Sequence, residues 1–470
     1  MTNKTRDYAN SRVLVLGLGK SGTAAAKALA RLGAEVSVTD SNDAATGGLT
    51  TELIDAGVKN IAWKTNGSMA RGYDLVVVSP GVAIDSPAVK VAKRSRAEVI
   101  GELELAYRLT AHPIIAVTGT NGKSTVVTLL GEIFSAAGIP NVVAGNIGLP
   151  MVEAIQGLDP RAVIIAEVSS FQLETVIEFK PKIGILLNIT PDHLDRHRTM
   201  FAYRDVKTRL FAQQTEDDYA VINLDDELAA DVMDDVPSTV VPYSIYKATD
   251  RGVFVDSGRI WAVLPPRYMP VVDGVVAELG LRGAHNLENI LAAVAAALLW
   301  GISAAQVTEA VQAFKGLSHR VERVAAIGGV TYYDDSKATN PDAARRAIEA
   351  FNEPVVLLAG GRNKGMDFSL LEPIMKERVK AVVAFGEAAE EIAAVVAEAG
   401  HSLGIELVRA ATMHEAVTAA HSLARPGDIV LLSPGCASFD MYTGYAARGD
   451  DFQAEVRKLT GSGEKTSDNG

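Results

Sequence analysis

Short runs of β-branched and apolar residues alternate with Ala-rich helical stretches along most of the chain. The pattern starts anew with RVLVLGLG at 12–19, PIIAVTGTNGKST at 113–125 and PVVLLAGGRNKG at 354–365, and each run contains a glycine turn. A strand, a glycine turn and a helix in repeated succession predict βαβ units and parallel sheets. We therefore expect an α/β fold with three sheet-forming regions.

Two interruptions of this pattern predict domain boundaries. The first, at His112-Pro113, follows the helical stretch ELELAYRLTA, and the second, near Gly316, follows SAAQVTEAVQAFKG. The length of 470 residues is also typical of about three domains. We predict domains at 1–112, 113–317 and 318–470, with a disordered tail at 461–470.

Composition and charge narrow the possible partners and the cellular compartment. Hydrophobic residues make up 48% of the chain, and 45 basic against 57 acidic residues give a net charge of −12. This excess of negative charge argues against nucleic acid as a partner. The single cysteine, Cys436, excludes an internal disulfide and a cysteine zinc cluster, and a reducing, cytoplasmic setting fits.

The apolar segments predict neither a signal peptide nor membrane insertion. The longest apolar run, at 290–300, is shorter than the roughly 20 residues that cross a bilayer, and we interpret it as a buried helix. The N-terminal segment MTNKTRDYANSR lacks the apolar core of a signal peptide.

A glycine-rich loop after the second strand-like run indicates phosphate binding. The segment GTNGKST at 119–125 follows the apolar IIAV and precedes a helical stretch. Backbone N–H groups at such a helix start hold phosphate oxygens, Lys123 can neutralise phosphate charge, and Ser124 or Thr125 can reach Mg²⁺. Val117 stands where the full spacing has a glycine, so this is a shortened variant, and a turn that binds nothing is the alternative.

A second glycine pattern lies near the N-terminus. Gly17, Gly19 and Gly22 follow a strand-like run, and Asp40 ends the next one, which matches a dinucleotide-binding pattern in outline. The pattern alone leaves three possibilities open, namely NAD, the diphosphate of another nucleotide, and tight packing of a helix on a strand.

Several charged residues of the central region are candidates for a metal site. Glu167 ends an apolar strand near the phosphate loop, where a Mg²⁺ ligand is expected, although it can equally cap a strand at the surface. His193 and His197 are four residues apart, but no third ligand has zinc spacing, so His193 is a candidate imidazole beside Mg²⁺ or part of a structural loop. Lys207 is a candidate partner of Glu167, or a surface residue of a helix.

Polar loops in the last third predict an anion site. DDSKATNP at 334–341, GGRNKG at 360–365 and SPGCAS at 433–438 each place Ser, Thr or Lys donors at a strand end. Together they suit a carboxylate or a phosphate. Asn286 and Asn289 open the apolar helix, where they cap it or contact an adenine.

These segments together resemble a known family. GTNGKST, AEVSSFQLE, LNITPDHLDRH, GAHNLENI, HRVE, YDDSKATNP and GGRNKG, in this order, resemble the Mur ligases of peptidoglycan synthesis, over about 11–458. The resemblance implies an N-terminal Rossmann-like domain, a central P-loop ATPase-like domain with a parallel sheet, and a C-terminal Rossmann-like domain. It also implies ATP-dependent formation of an amide bond through an acyl phosphate.

Within the family, three segments favour addition of D-glutamate to UDP-N-acetylmuramoyl-L-alanine (UDP-MurNAc-L-alanine). These are GLGKSG at 17–22, DDSKATNP and LLSPGCASFDMY at 431–442, and the DNPR motif of the diaminopimelate- or lysine-adding members does not occur. Lys20 and Tyr445 depart from the family pattern near the expected uracil and D-glutamate contacts.

The resemblance implies roles for individual residues. ATP is expected to contact Gly119, Thr120, Asn121, Gly122, Lys123, Ser124, Thr125, Asn286, Asn289, Arg320 and Asp335. Two Mg²⁺ sites are expected to use Ser124, Glu167, His193 and Lys207, with Lys207 carbamylated, and the expected catalytic residues are Lys123, His193 and Lys207. The UDP-substrate is expected at Ser21, Asp40, Ser41 and Asn146, and D-glutamate at Lys337, Thr339, Lys364, Ser438 and Phe439.

Three other functions remain open at this point. The chain can be another amide ligase of the same superfamily. It can be an NAD-dependent oxidoreductase that uses Gly17, Gly19 and Gly22, which leaves GTNGKST without a role. It can also be a P-loop switch or binding protein that hydrolyses ATP without forming an amide.

Overall fold

A computed structural model of the protein describes residues 6–41, 47–63, 70–264, 267–272, 283–400 and 404–461. Its strands form three sheets that are mainly parallel, which confirms the predicted α/β class. The α-helices are α1 Lys20–Arg31, α2 Gly47–Asp55, α3 Pro87–Arg94, α4 Glu102–Leu109, α5 Lys123–Ala136, α6 Met151–Ala154, α7 Ser170–Leu173, α8 Leu194–His197, α9 Met200–Thr208, α10 Glu227–Ala230, α11 Ala284–Trp300, α12 Ala304–Ala313, α13 Pro341–Glu349, α14 Glu372–Arg378, α15 Ala389–Gly400, α16 Met413–Leu423 and α17 Tyr445–Gly461.

The first sheet has five parallel strands in the order β3-β2-β1-β4-β5. Its strands are β1 Arg12–Leu16, β2 Glu35–Asp40, β3 Asn60–Trp63, β4 Leu75–Val78 and β5 Glu98–Gly101. The strand order reverses at β1, because β2 lies on one side of it and β4 on the other. Such a reversal opens a crevice at the carboxyl ends of the two central strands.

The second sheet has nine strands, and seven of them run parallel from β7 to β12. Its strands are β6 Ile114–Thr118, β7 Asn141–Gly145, β8 Val163–Glu167, β9 Ile183–Leu186, β10 Tyr219–Asn223, β11 Thr239–Ser244, β12 Gly252–Asp256, β13 Arg259–Leu264 and β14 Arg267–Val272. The last two pair antiparallel. Ser257 and Gly258 both have positive φ, as a two-residue hairpin requires. The predicted parallel sheet did not anticipate this extension.

The third sheet has the order β15-β16-β20-β17-β18-β19, and only β15 runs antiparallel to its neighbour. Its strands are β15 Glu322–Ile327, β16 Val330–Asp334, β17 Val355–Gly360, β18 Val379–Phe385, β19 Glu406–Ala410 and β20 Ile429–Leu432. Apolar clusters cover both faces, so β17 and β20 are buried throughout.

The chain divides into two compact units. The first comprises 1–189, 199–276 and 288–313, and the second comprises 190–198, 277–287 and 314–470. The first and second sheets therefore share one unit, and the third sheet forms the other. The predicted boundaries at 1–112, 113–317 and 318–470 stay predictions. Of the predicted tail, Gly461 ends α17, and 462–470 lie outside the described residues.

Within the first unit, helix α4 joins the first sheet to the second through buried carboxylates. The Glu104 carboxylate accepts hydrogen bonds from the backbone N–H groups of Ile177, Glu178 and Phe179 at 2.9–3.1 Å, and from Arg108 Nε at 2.8 Å. These donors satisfy a charge that would otherwise be costly to bury. The contact fixes α4 on the segment that follows α7.

Glu102 makes a similar contact that is only half satisfied. One oxygen accepts the Val152 N–H at 2.6 Å, whereas Oε2 is buried without a hydrogen-bond partner among the described residues. Burial raises the pKa of Glu102 from 4.5 to about 7, against the lowering effect of the backbone hydrogen bonds from Val152 and Met151. The neutral acid is therefore favoured in the folded state.

We predict that Glu102→Gln removes a pH-dependent component of stability. Because the folded-state pKa is raised above 4.5, this component is fully present below pH 4.5 and is lost as the pH rises through about 7. Between pH 5 and pH 8 the wild type should lose about 2 kcal/mol of unfolding free energy more than the variant does. Urea unfolding at both pH values measures this, and equal losses in the two proteins would contradict the assignment.

Candidate functional site

The glycine-rich loop lies between β6 and the 14-residue helix α5, with its glycines in conformations that other residues rarely adopt. Gly119 has φ 151° and Gly122 has φ 92°. A Cβ atom at Gly122 would lie 2.1 Å from Asn289 Oδ1, and one at Gly119 would lie 2.9 Å from Leu187 Cβ. The loop therefore keeps a bare backbone at the start of a helix, where N–H groups and the helix dipole favour an anion.

Asn188 holds this loop from the adjacent strand end. Its Oδ1 accepts the Asn121 N–H at 2.8 Å, its Nδ2 donates to Asn121 O at 3.1 Å, and its carbonyl accepts the Thr120 N–H at 2.9 Å. Asn188 is a site residue that the sequence analysis did not single out. The available signal was its place in LNITPDH, directly after the apolar strand β9.

Two lysine amines converge on the loop. Lys123 Nζ donates to Gly119 O and Thr120 O, both at 2.8 Å. Lys207 Nζ also donates to Gly119 O at 2.8 Å and lies 4.4 Å from the centre of the Tyr203 ring. Lys207 is only 1% exposed, so it is not a surface residue of α9. Spacing along the chain could not place it beside the loop, and the structure does.

Glu167 supplies a buried carboxylate next to the loop. It ends β8, pairs in register with Val117 of β6 and is 2% exposed. Its Oε1 accepts a hydrogen bond from Asn146 Nδ2 at 2.9 Å, and its backbone carbonyl accepts the Asn146 N–H at 2.8 Å. Asn146, which was expected to contact the UDP-substrate, thus contacts the expected metal ligand.

Three buried oxygen atoms around the loop have no hydrogen-bond partner among the described residues. They are Glu167 Oε2, the Thr118 hydroxyl and the Thr125 hydroxyl. Leaving such atoms unpaired is costly, and a set of hard oxygen donors suits Mg²⁺. The residues present therefore fit a magnesium ion near the phosphate loop.

The crevice of the first sheet lies at its reversal point. It has a volume of about 660 Å³ and is lined at the ends of β1, β2 and β4 by residues that include Gly17, Asp40, Ser41 and Ser79. Asp40 Oδ2 accepts the Leu18 N–H at 2.6 Å and thereby holds the glycine turn. Two predicted substrate residues, Asp40 and Ser41, thus line the crevice, and Ser21 lies in the first turn of α1.

A close approach of backbone to backbone explains the third glycine of the pattern next to this crevice. A Cβ atom at Gly22 would lie only 1.8 Å from Gly17 O. The third glycine is therefore needed for packing α1 on its strand, and it does not by itself indicate NAD.

The three polar loops of the last third meet at one edge of the third sheet. They follow the neighbouring parallel strands β16, β20 and β17. Backbone hydrogen bonds join them: Gly435 N–H to Ala338 O at 3.0 Å, Gly360 N–H to Pro434 O at 3.0 Å, and Arg362 N–H to Ala437 O at 2.8 Å. These loops carry the residues expected to contact D-glutamate, namely Lys337, Thr339, Lys364, Ser438 and Phe439.

The surroundings of these loops combine aromatic and charged groups. Lys337 Nζ lies 5.3 Å from the centre of the Tyr445 ring, and Phe439 is 60% exposed. The buried Asp335 accepts a hydrogen bond from Ser433 Oγ at 2.7 Å. Burial raises the pKa of Asp335 to about 7, while the Ser433 hydrogen bond and the charge of Arg320 act in the lowering direction.

Asn286, Asn289 and His193 were also predicted as site residues, and they lie in or next to helices α11 and α8. Helix α11 begins at Ala284, so Asn286 and Asn289 lie inside it and the alternative that they cap its start is wrong. Asn289 Oδ1 instead lies next to Gly122, at 2.1 Å from where a Cβ atom of that residue would be. His193 precedes α8 with φ 53° and belongs to the second unit, whereas Lys207 belongs to the first, so their expected joint metal site stays a prediction.

A group of metal-ligand types occurs elsewhere in the second unit, at His319, Glu322 and Asp334. His319 Nδ1 and Asp334 Oδ2 are 2.7 Å apart, and Gln453 Nε2 donates to Glu322 at 3.1 Å and to Asp334 at 2.9 Å. The three side chains are therefore engaged with protein partners, and we interpret the group as a structural network.

Three models of protein-family domains together match most of the chain. The Mur ligase MurD-like N-terminal domain matches residues 11–101. The Mur ligase middle domain matches 117–297, and the Mur ligase glutamate ligase domain matches 319–436.

Similar proteins extend over the full length. A UDP-N-acetylmuramoylalanine–D-glutamate ligase from Pelotomaculum thermopropionicum is 48% identical over 457 residues, covering 97% of this chain and 99% of that protein. One of the same name from Geobacter metallireducens is 43% identical over 461 residues, covering 98% and 100%.

Solved structures share the fold at low sequence identity. MurF from Acinetobacter baumannii superposes with a TM-score of 0.61 at 17% identity, covering 90% of each chain. The UDP-N-acetylmuramate-alanine ligase MurC from Thermotoga maritima gives a TM-score of 0.57 at 19% identity, covering 96% of this chain and 100% of that one. Within the described ranges, every helix is too short or too polar to span a membrane.

The phosphate loop leads to a matched pair of glycine variants. Gly122→Ala and Gly138→Ala both place alanine at positive φ, which costs about 1 kcal/mol of strain in each variant. The new Cβ atom collides with a neighbour at position 122, whereas no atom lies within 4 Å of it at position 138. We expect Gly122→Ala to weaken ATP binding by about tenfold or more and Gly138→Ala to leave it unchanged. Isothermal titration calorimetry with Mg²⁺ and ATP measures the affinity. Equal affinities of the two variants would show that the loop is not part of the ATP-binding site.

Proposed function

The chain belongs to the Mur ligase family, and we propose that it joins D-glutamate to UDP-MurNAc-L-alanine in an ATP-dependent reaction. Two relatives that match nearly their whole length carry that ligase name at 48% and 43% identity. This full-length match is the observation that carries the choice of substrates. The phosphate loop and the polar edge of the third sheet provide the chemistry that such a reaction needs.

The reaction brings together two anions, ATP and a carboxylate. The L-alanine carboxylate attacks the γ-phosphorus of ATP, and ADP leaves. The amine of D-glutamate then attacks the carbonyl carbon of the acyl phosphate, loses a proton, and phosphate leaves as the amide forms. Lys123 Nζ, already held at the loop by Gly119 O and Thr120 O, would neutralise phosphate charge during the first step.

Magnesium, when bound, supplies further neutralisation of phosphate charge. Ser124 and Glu167 would hold one ion. Glu167 Oε2, which has no hydrogen-bond partner in the described part of the chain, supports this assignment. A second site would use His193 and a carbamylated Lys207. Carbamylation adds CO₂ to the neutral amine with loss of a proton, and so converts a buried nitrogen donor into an anionic oxygen ligand.

The other substrate contacts follow the three sheets. The crevice of the first sheet and the neighbouring loop would bind the UDP-sugar through Ser21, Asp40, Ser41 and Asn146. The phosphate loop would bind ATP together with Asn286, Asn289, Arg320 and Asp335. D-Glutamate would contact Lys337, Thr339, Lys364, Ser438 and Phe439. We place the reaction in the cytoplasm.

The decisive assay follows phosphate release from ATP with UDP-MurNAc-L-alanine, with and without D-glutamate. We expect release that depends on D-glutamate, together with a product heavier by one glutamyl residue in mass spectrometry. Lys123→Ala should abolish release, because it removes the amine at the phosphate loop, with its circular dichroism spectrum unchanged.

Other results of this assay identify the competing functions. Release with another amino acid, such as L-alanine or diaminopimelate, would retain the ligase chemistry and change the substrate. ATP hydrolysis without an amide product would indicate a switch or binding protein. Binding of a nicotinamide cofactor without ATP binding would indicate an oxidoreductase.

The carbamate at Lys207 has its own test. Lys207→Ala should lose activity by about 100-fold or more, and formate or acetate should restore part of it, because a small carboxylate can replace the missing ligand oxygens. Lys123→Ala is the matched control, since its lost cation cannot be replaced by an anion. A folded Lys207→Ala protein that no carboxylate rescues would argue against the carbamate.

A further inference from the structure

Arg448, in the first turn of α17, is a fully buried arginine that the proposed reaction does not use. Its Nε donates to Ser336 Oγ at 2.9 Å. Its Nη2 donates to Ser336 O at 2.8 Å and to Cys436 O at 3.1 Å, and its Nη1 donates to Gly360 O at 3.4 Å. Every one of these acceptors is electrically neutral.

The acceptors belong to the three loops proposed to bind D-glutamate. Ser336 directly precedes Lys337, Gly360 begins the loop that carries Lys364, and Cys436 lies two residues before Ser438. One guanidinium therefore joins all three loops. The same helix is tied to the first loop a second time, because Ser336 Oγ donates to Tyr445 O at 2.8 Å.

The packing around the guanidinium leaves little freedom for a different geometry. A Cβ atom at Gly361 would lie 3.0 Å from Arg448 Nη1 and 2.3 Å from Ala437 O. The planar guanidinium of arginine has several N–H groups in fixed directions and can therefore donate to several carbonyl oxygens at once. The ammonium group of a lysine at this position is a single compact charge and could not reach all of them. The relative positions of the loops therefore depend on an arginine here.

The charge of Arg448 has no counter-ion within its hydrogen-bond distance in the described part of the chain. Asp440 and Asp334 act on it only at longer range. Burial lowers the pKa of Arg448 to about 10, so the guanidinium stays charged at neutral pH. A buried charge with neutral partners only is costly, and its field extends far in a medium of low dielectric. An anion bound at the loops would offset this cost.

We propose that Arg448 is a positioning residue that fixes the three loops of the amino-acid site, and that its buried charge favours an amino acid with a second carboxylate. This inference rests on the proposed function. It explains why a guanidinium without a carboxylate in hydrogen-bond distance among the described residues is buried against loops that would receive a dicarboxylate.

The test compares kinetic constants of three variants. Arg448→Met removes the charge and the fork, Arg448→Lys keeps the charge only, and Arg457→Met changes an exposed arginine of the same helix. We expect the KM for D-glutamate to rise about tenfold or more in Arg448→Met and about threefold in Arg448→Lys. The KM values for ATP and UDP-MurNAc-L-alanine should stay within about twofold, and Arg457→Met should match the wild type.

The split between KM and kcat separates positioning from folding. A merely structural role lowers the amount of active enzyme, and hence the apparent kcat, and leaves the KM for D-glutamate unchanged. Folded Arg448→Met and Arg448→Lys proteins with an unchanged KM for D-glutamate would overturn the proposal.

If the Arg448 substitutions prevent folding, a smaller change at Ser336 tests the same proposal. Ser336→Ala removes the acceptor of Nε and the hydrogen bond from Ser336 Oγ to Tyr445 O, and it leaves the guanidinium in place. It should raise the KM for D-glutamate by about threefold, and an unchanged KM would then overturn the inference. A wild-type protein that makes no glutamyl product would instead contradict the proposed function, so the two failures are distinguishable.

Discussion

Burial of both faces of the parallel strands constrains where this protein can place polar chemistry. Strands such as β4 and β8 are buried over their whole length, so charged side chains can reach ligands only where strands end. Glu167 is the last residue of its strand, and Asp40 is the last residue of β2. The candidate sites thus lie at the carboxyl edges of the sheets because the cores leave no other place for them.

Backbone groups help to stabilise two of the buried charged side chains, Glu104 and Arg448. Glu104 combines three backbone N–H donors with Arg108, and the resulting contact joins two sheets as a structural element. Within the described part of the chain, the hydrogen-bond acceptors of Arg448 are carbonyl and hydroxyl oxygens. Glu104 has a hydrogen-bonded counter-ion, whereas Arg448 has none among the described residues. This difference is the physical ground for assigning Glu104 a structural role and for proposing that Arg448 favours an anionic ligand.

Local patterns predicted the elements well, since strands, glycine turns and the apolar helix α11 depend on neighbouring residues. The phosphate loop and the glycine turn beside Asp40 belong to this group. Contacts between distant segments could not be predicted in this way. Asn188 holding Asn121, Arg448 joining three loops and the hairpin after β12 all require knowledge of which strands are neighbours. Asn289 is an example of what local patterns could not predict. An asparagine near a helix start suggested a helix cap, whereas the structure places its side chain next to Gly122.

The contact between Asn146 and Glu167 brings two of the proposed sites to one point. A side-chain and a backbone hydrogen bond fix the two residues, and a Cβ at Gly145 would lie only 2.3 Å from Glu167 O. The loop proposed to contact the UDP-sugar and the carboxylate proposed to hold Mg²⁺ are thereby fixed to each other. Phosphoryl transfer between two anions requires the cation within contact distance of both. The hydrogen bonds between Asn146 and Glu167 would hold the proposed substrate loop and the proposed metal ligand together before either ligand binds.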